Sequence, residues 1–186
     1  MTHRQFSRRD FLNSVGTGAA AISLSAVANA CAPRQDALLS SNGPAPDLEL
    51  KIRSISGEVQ ILNGPPTPVW RYEGELIRGN DDNLQVIPGS YLGPTIHARR
   101  GQRVRVHYVN ELPQESIIHW HGMHVPEDAD GHPRLAVGEG GEYLYDFTIM
   151  DRAGTYWYHP HPHGNTGEQV LRGMAGLFIV HDDEED

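Results

Sequence analysis

Apolar and polar residues alternate with a period of two along several short segments of the chain. In residues 103–109, for example, Val104, Val106 and Tyr108 share one face, which is typical of a strand with one buried side. Clusters of Gly, Pro, Asn and Asp separate these segments, and the best helix candidate is residues 167–172, about two turns at most. Strands are predicted at residues 48–53, 103–109, 117–118, 143–149 and 176–180.

This succession of short strands and turns predicts an all-β domain over residues 48–181, folded as an antiparallel sandwich or barrel. The 186-residue chain is long enough for one such domain with its own core. Its formal net charge of −9 argues against nucleic-acid binding through basic charge, and residues 182–186 form an acidic tail.

Residues 1–30 are predicted to direct export rather than to belong to the domain. Residues 7–12 (Ser-Arg-Arg-Asp-Phe-Leu) resemble a twin-arginine signal, and a weakly apolar stretch and a small-residue cleavage site ending at Ala30 follow them. The alternative is a membrane anchor, but the apolar stretch is too short to span a bilayer comfortably. We therefore expect a mature chain without a transmembrane span, located in the bacterial periplasm or cell envelope.

Cys31, the single cysteine of the chain, directly follows that cleavage site. An intramolecular disulfide and a cysteine-rich zinc site are therefore excluded, so metal ligands must come from histidine, carboxylate or methionine. Cys31 is also a candidate for lipid anchoring, although Ala28 stands where such signals usually carry leucine. Residues 31–47 are predicted to form a flexible leader.

Seven of the eleven histidines lie between residues 119 and 163, and four of them form two His-x-His pairs. Side chains at positions i and i+2 of a strand point to the same face, so His119 and His121 project together, as do His159 and His161. Two such pairs brought together place four imidazoles on one surface. Imidazole binds copper, zinc, iron and nickel, with copper the strongest of the divalent ions. The alternative of ordinary solvated histidines suits a lone residue better than two pairs flanked by aromatic side chains.

The residues around these pairs resemble the N-terminal cupredoxin (plastocyanin-like) domain of multicopper oxidases, the laccase-like enzymes. The likeness rests on His-Trp-His-Gly at 119–122, on Gly-Thr-Tyr-Trp-Tyr-His-Pro-His at 154–161 and on Met-Ala-Gly-Leu-Phe-Ile-Val at 174–180. It covers about residues 48–181, and it implies a Greek-key β-sandwich of the cupredoxin type.

The resemblance also implies a role for each histidine of the two pairs. His119 corresponds to a ligand of the type 2 copper, and His121, His159 and His161 correspond to ligands of the type 3 copper pair. Together the three ions form the trinuclear centre that reduces dioxygen to water while a small reductant is oxidised.

The neighbouring acids and histidines receive more limited roles. Asp130 is the best match to the acidic residue that supplies protons near the family's centre, although a loop acid also commonly caps a turn. His163 is placed behind a copper ligand, which it orients, and His132 borders the site. The other assignments are Glu127 and Asp128 as weaker proton donors, His124 as a loop residue, His107 as a solvated residue, His97 and His181 as residues without a functional role, and the three tryptophans as packing residues.

A complete enzyme of this family receives electrons at a type 1 copper, which needs a cysteine thiolate beside two histidines. Cys31 lies far from both histidine pairs, so we expect no type 1 site in this chain and only half of the trinuclear ligands. A C-terminal cupredoxin domain or a partner chain is expected to supply the rest. The reducing substrate stays open, because its specificity is set near the type 1 copper.

Three hypotheses follow, and the abrupt acidic ending favours the first. The chain is the N-terminal domain of a multicopper oxidase, as a fragment or truncated product that does not turn over alone. Alternatively, it is a stand-alone module that stores or delivers copper in the envelope, or a subunit that completes its cluster with a partner chain or across an oligomer interface. An alternative from a different class is zinc hydrolysis on a histidine site, which predicts water activation without redox activity.

Overall fold

The structure is a computed structural model that describes residues 44–184. The predicted export signal, Cys31, most of the predicted leader and the last two residues of the acidic tail lie outside the described residues. Within residues 44–184, none of the helices has the length and apolar character that crossing a membrane requires.

Most of the described chain is extended, and it contains nine strands and one short α-helix. The helix, α1, spans Thr166–Leu171 and begins one residue before the predicted helix. The strands are β1 (Leu48–Val59), β2 (Thr67–Arg78), β3 (Leu84–Gln85), β4 (Thr95–Arg99), β5 (Arg103–Asn110), β6 (Ile118–His121), β7 (Glu142–Thr148), β8 (Gly154–Pro160) and β9 (Gly176–His181).

The strands form two sheets that enclose one apolar core. The first sheet has the order β2-β1-β5-β7, and the second has the order β3-β4-β9-β8-β6. The predicted alternation is confirmed, because Leu50 and Ile52 of β1 and Val106 and Tyr108 of β5 are all fully buried. The described chain is therefore a two-sheet β structure with little helix, consistent with a cupredoxin β-sandwich.

The predicted strand direction was wrong at two places. Only antiparallel pairing was expected, but β1 runs parallel to β5 and β4 runs parallel to β9. Both pairs join strands that are distant in sequence, and the chain visits the other sheet between them, so no hairpin imposes an antiparallel pairing. The sequence analysis also assigned no strand to β2, which forms a long hairpin with β1. Asp182, predicted as the start of the acidic tail, is buried and accepts a hydrogen bond from the Ala153 N–H at 2.8 Å.

Trp120 and Tyr145 connect the two sheets beneath the histidine pairs. The buried Trp120 ring of β6 lies 5.3 Å from the Tyr145 ring and 5.5 Å from the Phe147 ring, both of β7. The Tyr145 hydroxyl also donates to the Ile118 carbonyl at 2.9 Å and accepts from the Ile118 N–H at 2.8 Å. Strand β6 is thus held at the residue directly before His119.

Candidate metal centre

Antiparallel pairing of β6 with β8 brings the two histidine pairs together at one edge of the second sheet. His119 lies directly opposite His159 in the strand register. The ring centroids of these two residues are 5.3 Å apart, and the His121 centroid lies 5.7 Å from that of His119 and 5.4 Å from that of His159. The prediction that the pairs meet on one surface is therefore confirmed.

Three of the four imidazoles present their nitrogens to a common point. One ring nitrogen from each of His119, His121 and His159 lies within 4.8 Å of the others. Nδ1 of His121 lies 3.2 Å from Nε2 of His159. The fourth, His161, lies beside this group, with its ring centroid 5.1 Å from that of His119. Its Nδ1 is buried and has no hydrogen-bond partner among the described residues.

Backbone carbonyl groups set the tautomers of two of these rings. Nδ1 of His119 lies 2.7 Å from the Asp130 carbonyl oxygen, and Nδ1 of His159 lies 2.9 Å from the Pro160 carbonyl oxygen. A carbonyl oxygen only accepts, so each Nδ1 must carry the hydrogen and donate it. Nε2 of each ring then carries the lone pair that a metal ligand needs, and in His159 this atom faces Nδ1 of His121 at 3.2 Å.

A glycine makes the contact between His119 and Asp130 possible. Gly131 has a φ of +76°, and a Cβ added there would lie 1.9 Å from the Ile118 carbonyl oxygen. Only glycine therefore lets this loop approach β6 closely enough for the Asp130 carbonyl to reach the His119 ring. The Asp130 carboxylate is partly exposed, and its Oδ1 lies 3.4 Å from the same ring nitrogen.

The surroundings of His159 and His161 favour the neutral form of these two imidazoles. Burial lowers the pKa of His159, and the neighbouring imidazoles lower it further against the opposing effect of the Pro160 carbonyl. Burial likewise lowers the pKa of His161, with a further contribution from His119. Because only a neutral imidazole can bind a metal, these shifts keep the ligand atoms available near neutral pH.

Trp157 is a residue of the site that the sequence analysis missed. Its ring centroid lies 4.4 Å from that of His159 and 4.8 Å from that of His121. The two other tryptophans are packing residues as predicted, since Trp120 and Trp70 are both buried. The sequence could have indicated this contact, because Trp157 lies two residues before His159 on β8 and therefore on the same face of the strand.

The remaining predicted site residues lie around this group in different ways. His132 is exposed and accepts from the Arg134 N–H at 3.2 Å at the start of a short 3₁₀ helix. His163 is exposed and makes no hydrogen bond to another described residue, so its orienting role stays a prediction. Among the weaker proton-donor candidates, Glu127 pairs with Arg134, and the Asp128 carbonyl accepts from the Tyr143 hydroxyl at 2.5 Å.

The histidines that the sequence analysis left without a functional role lie within hydrogen-bond distance of other side chains. Nε2 of His107 lies 2.8 Å from Oε1 of Glu49, because the unforeseen pairing of β1 with β5 brings these side chains together, while the His107 side chain stays 37% exposed to solvent. Nδ1 of His97 lies 3.0 Å from Nε2 of His181 across the β4–β9 pair. The other partnered histidine is His124, a loop residue as predicted, whose Nδ1 lies 2.6 Å from the buried Asp151 carboxylate.

Residues 58–185 match the family model described as multicopper oxidase. The chain belongs to the multicopper oxidase family. A relative in this family, the multicopper oxidase mco of Staphylococcus aureus, is 37% identical over 111 residues, which cover 60% of this chain and 25% of that protein. Among solved structures, the McoA multicopper oxidase of Aquifex aeolicus is similar with a TM-score of 0.63 and 40% identity, over 76% of this chain and 28% of that one.

The chain therefore spans about a quarter of the length of these two multicopper oxidases. A further relative, the cell division protein FtsP of Salmonella typhimurium, is 29% identical over 178 residues, 96% of this chain and 35% of that protein. Because relatives of this chain carry names other than oxidase, its copper chemistry has to be argued from its own residues.

The residues of the site fit copper as the family implies it. Imidazole nitrogens are good ligands for copper, and the three that converge here lie within 4.8 Å of one another. The buried Nδ1 of His161 has no partner among the described residues, and a buried polar atom without a partner is costly unless something binds it. The donor set is thus suitable for copper but small for a closed site, since it leaves coordination positions to other groups.

Proposed function

We propose that this chain is the N-terminal cupredoxin domain of a multicopper oxidase and supplies half of the histidine ligands of a trinuclear copper centre. In this proposal His119 holds the type 2 copper, and His121, His159 and His161 hold the type 3 pair. The observation that carries the proposal is the convergence of three imidazole nitrogens within 4.8 Å. When bound, copper of this kind supplies electron transfer to dioxygen, which is reduced to water while a small molecule or metal ion is oxidised.

The chain's own residues prepare this site and serve it. The Asp130 and Pro160 carbonyls accept the Nδ1 hydrogens of His119 and His159, so that Nε2 of each ring carries the lone pair a metal ligand needs. The Asp130 carboxylate reaches both the His119 ring and solvent, since its side chain is 44% exposed. A carboxylate in this position is suited to pass protons from water toward the centre, which dioxygen reduction requires.

A second polypeptide segment has to complete the centre. Cys31 is the single cysteine of this chain, and a type 1 copper needs a cysteine beside two histidines. Electron entry and the remaining trinuclear ligands are therefore assigned to a C-terminal cupredoxin domain or a partner chain. The Greek-key connectivity, export by the twin-arginine signal and an envelope location belong to the same proposal.

A metal titration with a paired variant tests the site. We expect the purified chain to bind Cu²⁺, and the double variant His119→Ala/His159→Ala to bind it at least about 100-fold more weakly, because it loses two of the three converging nitrogens. His107→Ala is the matched control, since it also removes an imidazole but lies on the other sheet. Calorimetry and Cu²⁺ electron paramagnetic resonance measure the binding. Equal affinity of the double variant and the control would refute the assignment.

The same titration separates the alternative functions when a second component is added. Dioxygen consumption that appears only when the chain is joined to a histidine- and cysteine-bearing cupredoxin domain supports the proposal. Tight stoichiometric copper binding by the chain alone, without a gain from that domain, supports a copper storage or delivery module. Ester hydrolysis with Zn²⁺ and no dioxygen consumption supports a zinc hydrolase.

A further inference from the structure

Helix α1 follows the second histidine pair, and it buries a polar side chain while its apolar side chains are exposed. Gln169 is its one fully buried residue, whereas Leu171 is 88% exposed and Val170 is 36% exposed. Burying a carboxamide costs free energy unless its polar atoms are hydrogen-bonded, and exposing leucine forgoes a hydrophobic gain. The orientation of this helix is therefore determined by what the Gln169 side chain contacts.

The Gln169 carboxamide is bonded to the segment that leads into the first histidine pair. Its Oε1 accepts from the Ser116 hydroxyl at 2.9 Å, and its Nε2 donates to the Glu115 carbonyl oxygen at 2.9 Å. Ser116 is itself fully buried and lies three residues before His119. One side chain thus connects the helix after His161 with the chain before His119.

This connection continues into the core on one side and into the site on the other. The fully buried Tyr108 hydroxyl hydrogen-bonds Ser116 and also lies 2.9 Å from the Ser54 hydroxyl, so the Gln169 contact is the outer end of a buried polar chain. At the site, the His161 N–H donates to the Ile117 carbonyl oxygen at 3.0 Å. The two histidine segments are therefore joined by the buried Gln169 carboxamide and by this backbone hydrogen bond, in addition to the pairing of β6 with β8 and an exposed hydrogen bond from Gln114 to Glu168 at 3.2 Å.

We propose that Gln169 is a positioning residue of the metal centre, which holds the His159–His161 segment in register with the His119–His121 strand through its hydrogen bonds to Ser116 and Glu115. The part of this inference that is measured by metal binding rests on the proposed function. Its geometric part, the coupling of the two histidine segments, stands independently of any metal. The Gln169 side chain hydrogen-bonds none of the four histidines, and it acts through the backbone that carries them.

The variant Gln169→Met tests this role because methionine keeps the length and apolar packing of the side chain and removes its hydrogen bonds to Ser116 and Glu115, together with a longer one to Gln114 at 3.4 Å. We expect amide hydrogen exchange at His161 to accelerate at least about tenfold, since an unpaired Ser116 and Glu115 loosen the contact with Ile117. Exchange at Val106, in the other sheet, is expected to change less than about twofold. Gln85→Leu, an exposed glutamine on the edge strand β3, is the matched control and is expected to leave both rates unchanged.

The second readout is the Cu²⁺ spectrum of the full chain. Gln169→Met is expected to weaken Cu²⁺ binding about tenfold and to split one set of hyperfine lines into several, because the imidazoles no longer share one geometry. Ser116→Ala, a milder change at the partner, is expected to act in the same direction, and the double variant to add little to Gln169→Met. If Gln169→Met does not fold, Ser116→Ala decides by the same two readouts.

The possible failures are distinguishable. Wild-type exchange rates and spectra in both Gln169→Met and Ser116→Ala overturn the positioning role and leave the proposed function intact. A wild-type chain that binds no Cu²⁺ overturns the proposed function, while accelerated exchange at His161 in Gln169→Met still supports the coupling of the two segments. Faster exchange throughout the chain, at Val106 as much as at His161, shows general destabilisation and overturns the positioning role.

Discussion

At the scale of single residues, the site depends on backbone groups as much as on side chains. The Nδ1 hydrogen of His119 is donated to the Asp130 carbonyl, and that carbonyl reaches the ring because Gly131 approaches β6 so closely. Asp130 therefore has two separable contributions, a carbonyl that orients a ligand and a carboxylate proposed to pass protons. Substituting the Asp130 side chain removes only the second of these.

Gly131→Ala is expected to damage the centre far more than the addition of one methyl group suggests. The new Cβ would lie 1.9 Å from the Ile118 carbonyl oxygen at a φ of +76°, so we expect a loss of about 2–4 kcal/mol in the free energy of unfolding and of most Cu²⁺ affinity. Gly138→Ala is the control, because a Cβ there meets no atom within 4 Å. Denaturant unfolding and Cu²⁺ titration compare the two variants. Equal behaviour would show that the Gly131 contact is unimportant.

At the scale of secondary-structure elements, strands β5 and β7 of the first sheet are joined by charged side chains on their outer face. Arg103 and Arg105 of β5 both hydrogen-bond Asp146 of β7, at 2.5 Å and 2.8 Å. Partial burial raises the pKa of Asp146, but the hydrogen bonds from the two arginines outweigh burial, and the pKa lies below its usual range. This face stabilises the sheet opposite the metal centre and has no part in it.

Asp146→Asn is expected to lower stability in a pH-dependent way. Because the folded-state pKa of Asp146 is depressed, its carboxylate contributes stability above pH 3.8, the ordinary value, and the contribution is lost as the pH falls through the folded-state pKa. We expect a loss of about 1–2 kcal/mol at neutral pH that shrinks below pH 3.8. Urea unfolding across this range measures it, with the fully exposed Asp183→Asn as a control that leaves the midpoint unchanged. A pH-independent difference would contradict this account.

For the whole molecule, the proposal combines half of a copper site with an export signal. The converging histidines lie at one edge of the second sheet, where another domain or chain can approach them. The proposed signal lies in residues outside the described part of the chain. Twin-arginine transport carries folded proteins, so the proposal links export to a domain that folds and acquires copper first.

The double variant Arg8→Lys/Arg9→Lys is expected to retain the protein in the cytoplasm. The substitution keeps both positive charges and removes the paired guanidinium groups that the twin-arginine signal requires. A loss of export therefore cannot be caused by a change in charge. Fractionation of cells producing the full chain, with immunodetection of the cleaved and uncleaved forms, measures the outcome. Arg34→Lys, beyond the proposed cleavage site, is the matched control. Normal export of the double variant would refute the twin-arginine assignment.

Features that depend on local periodicity could be predicted from the sequence alone. A strand alternates every two residues, so the pairing of His119 with His121 and of His159 with His161 on one face could be predicted before any fold was known. The same rule identified the buried faces of β1 and β5. The short helix was predicted to within one residue at each end, because glycines and prolines delimit it.

Contacts between residues that are distant in sequence became apparent only in the folded chain. The parallel pairings β1–β5 and β4–β9, the Asp130 carbonyl at His119, Trp157 against His121 and the Gln169 contact with Ser116 all join segments that are separated along the chain or on different strands. Their register is set by the packing of a common core, which no local pattern encodes. The proposed ligands could therefore be named from sequence, whereas the groups that orient them required the fold.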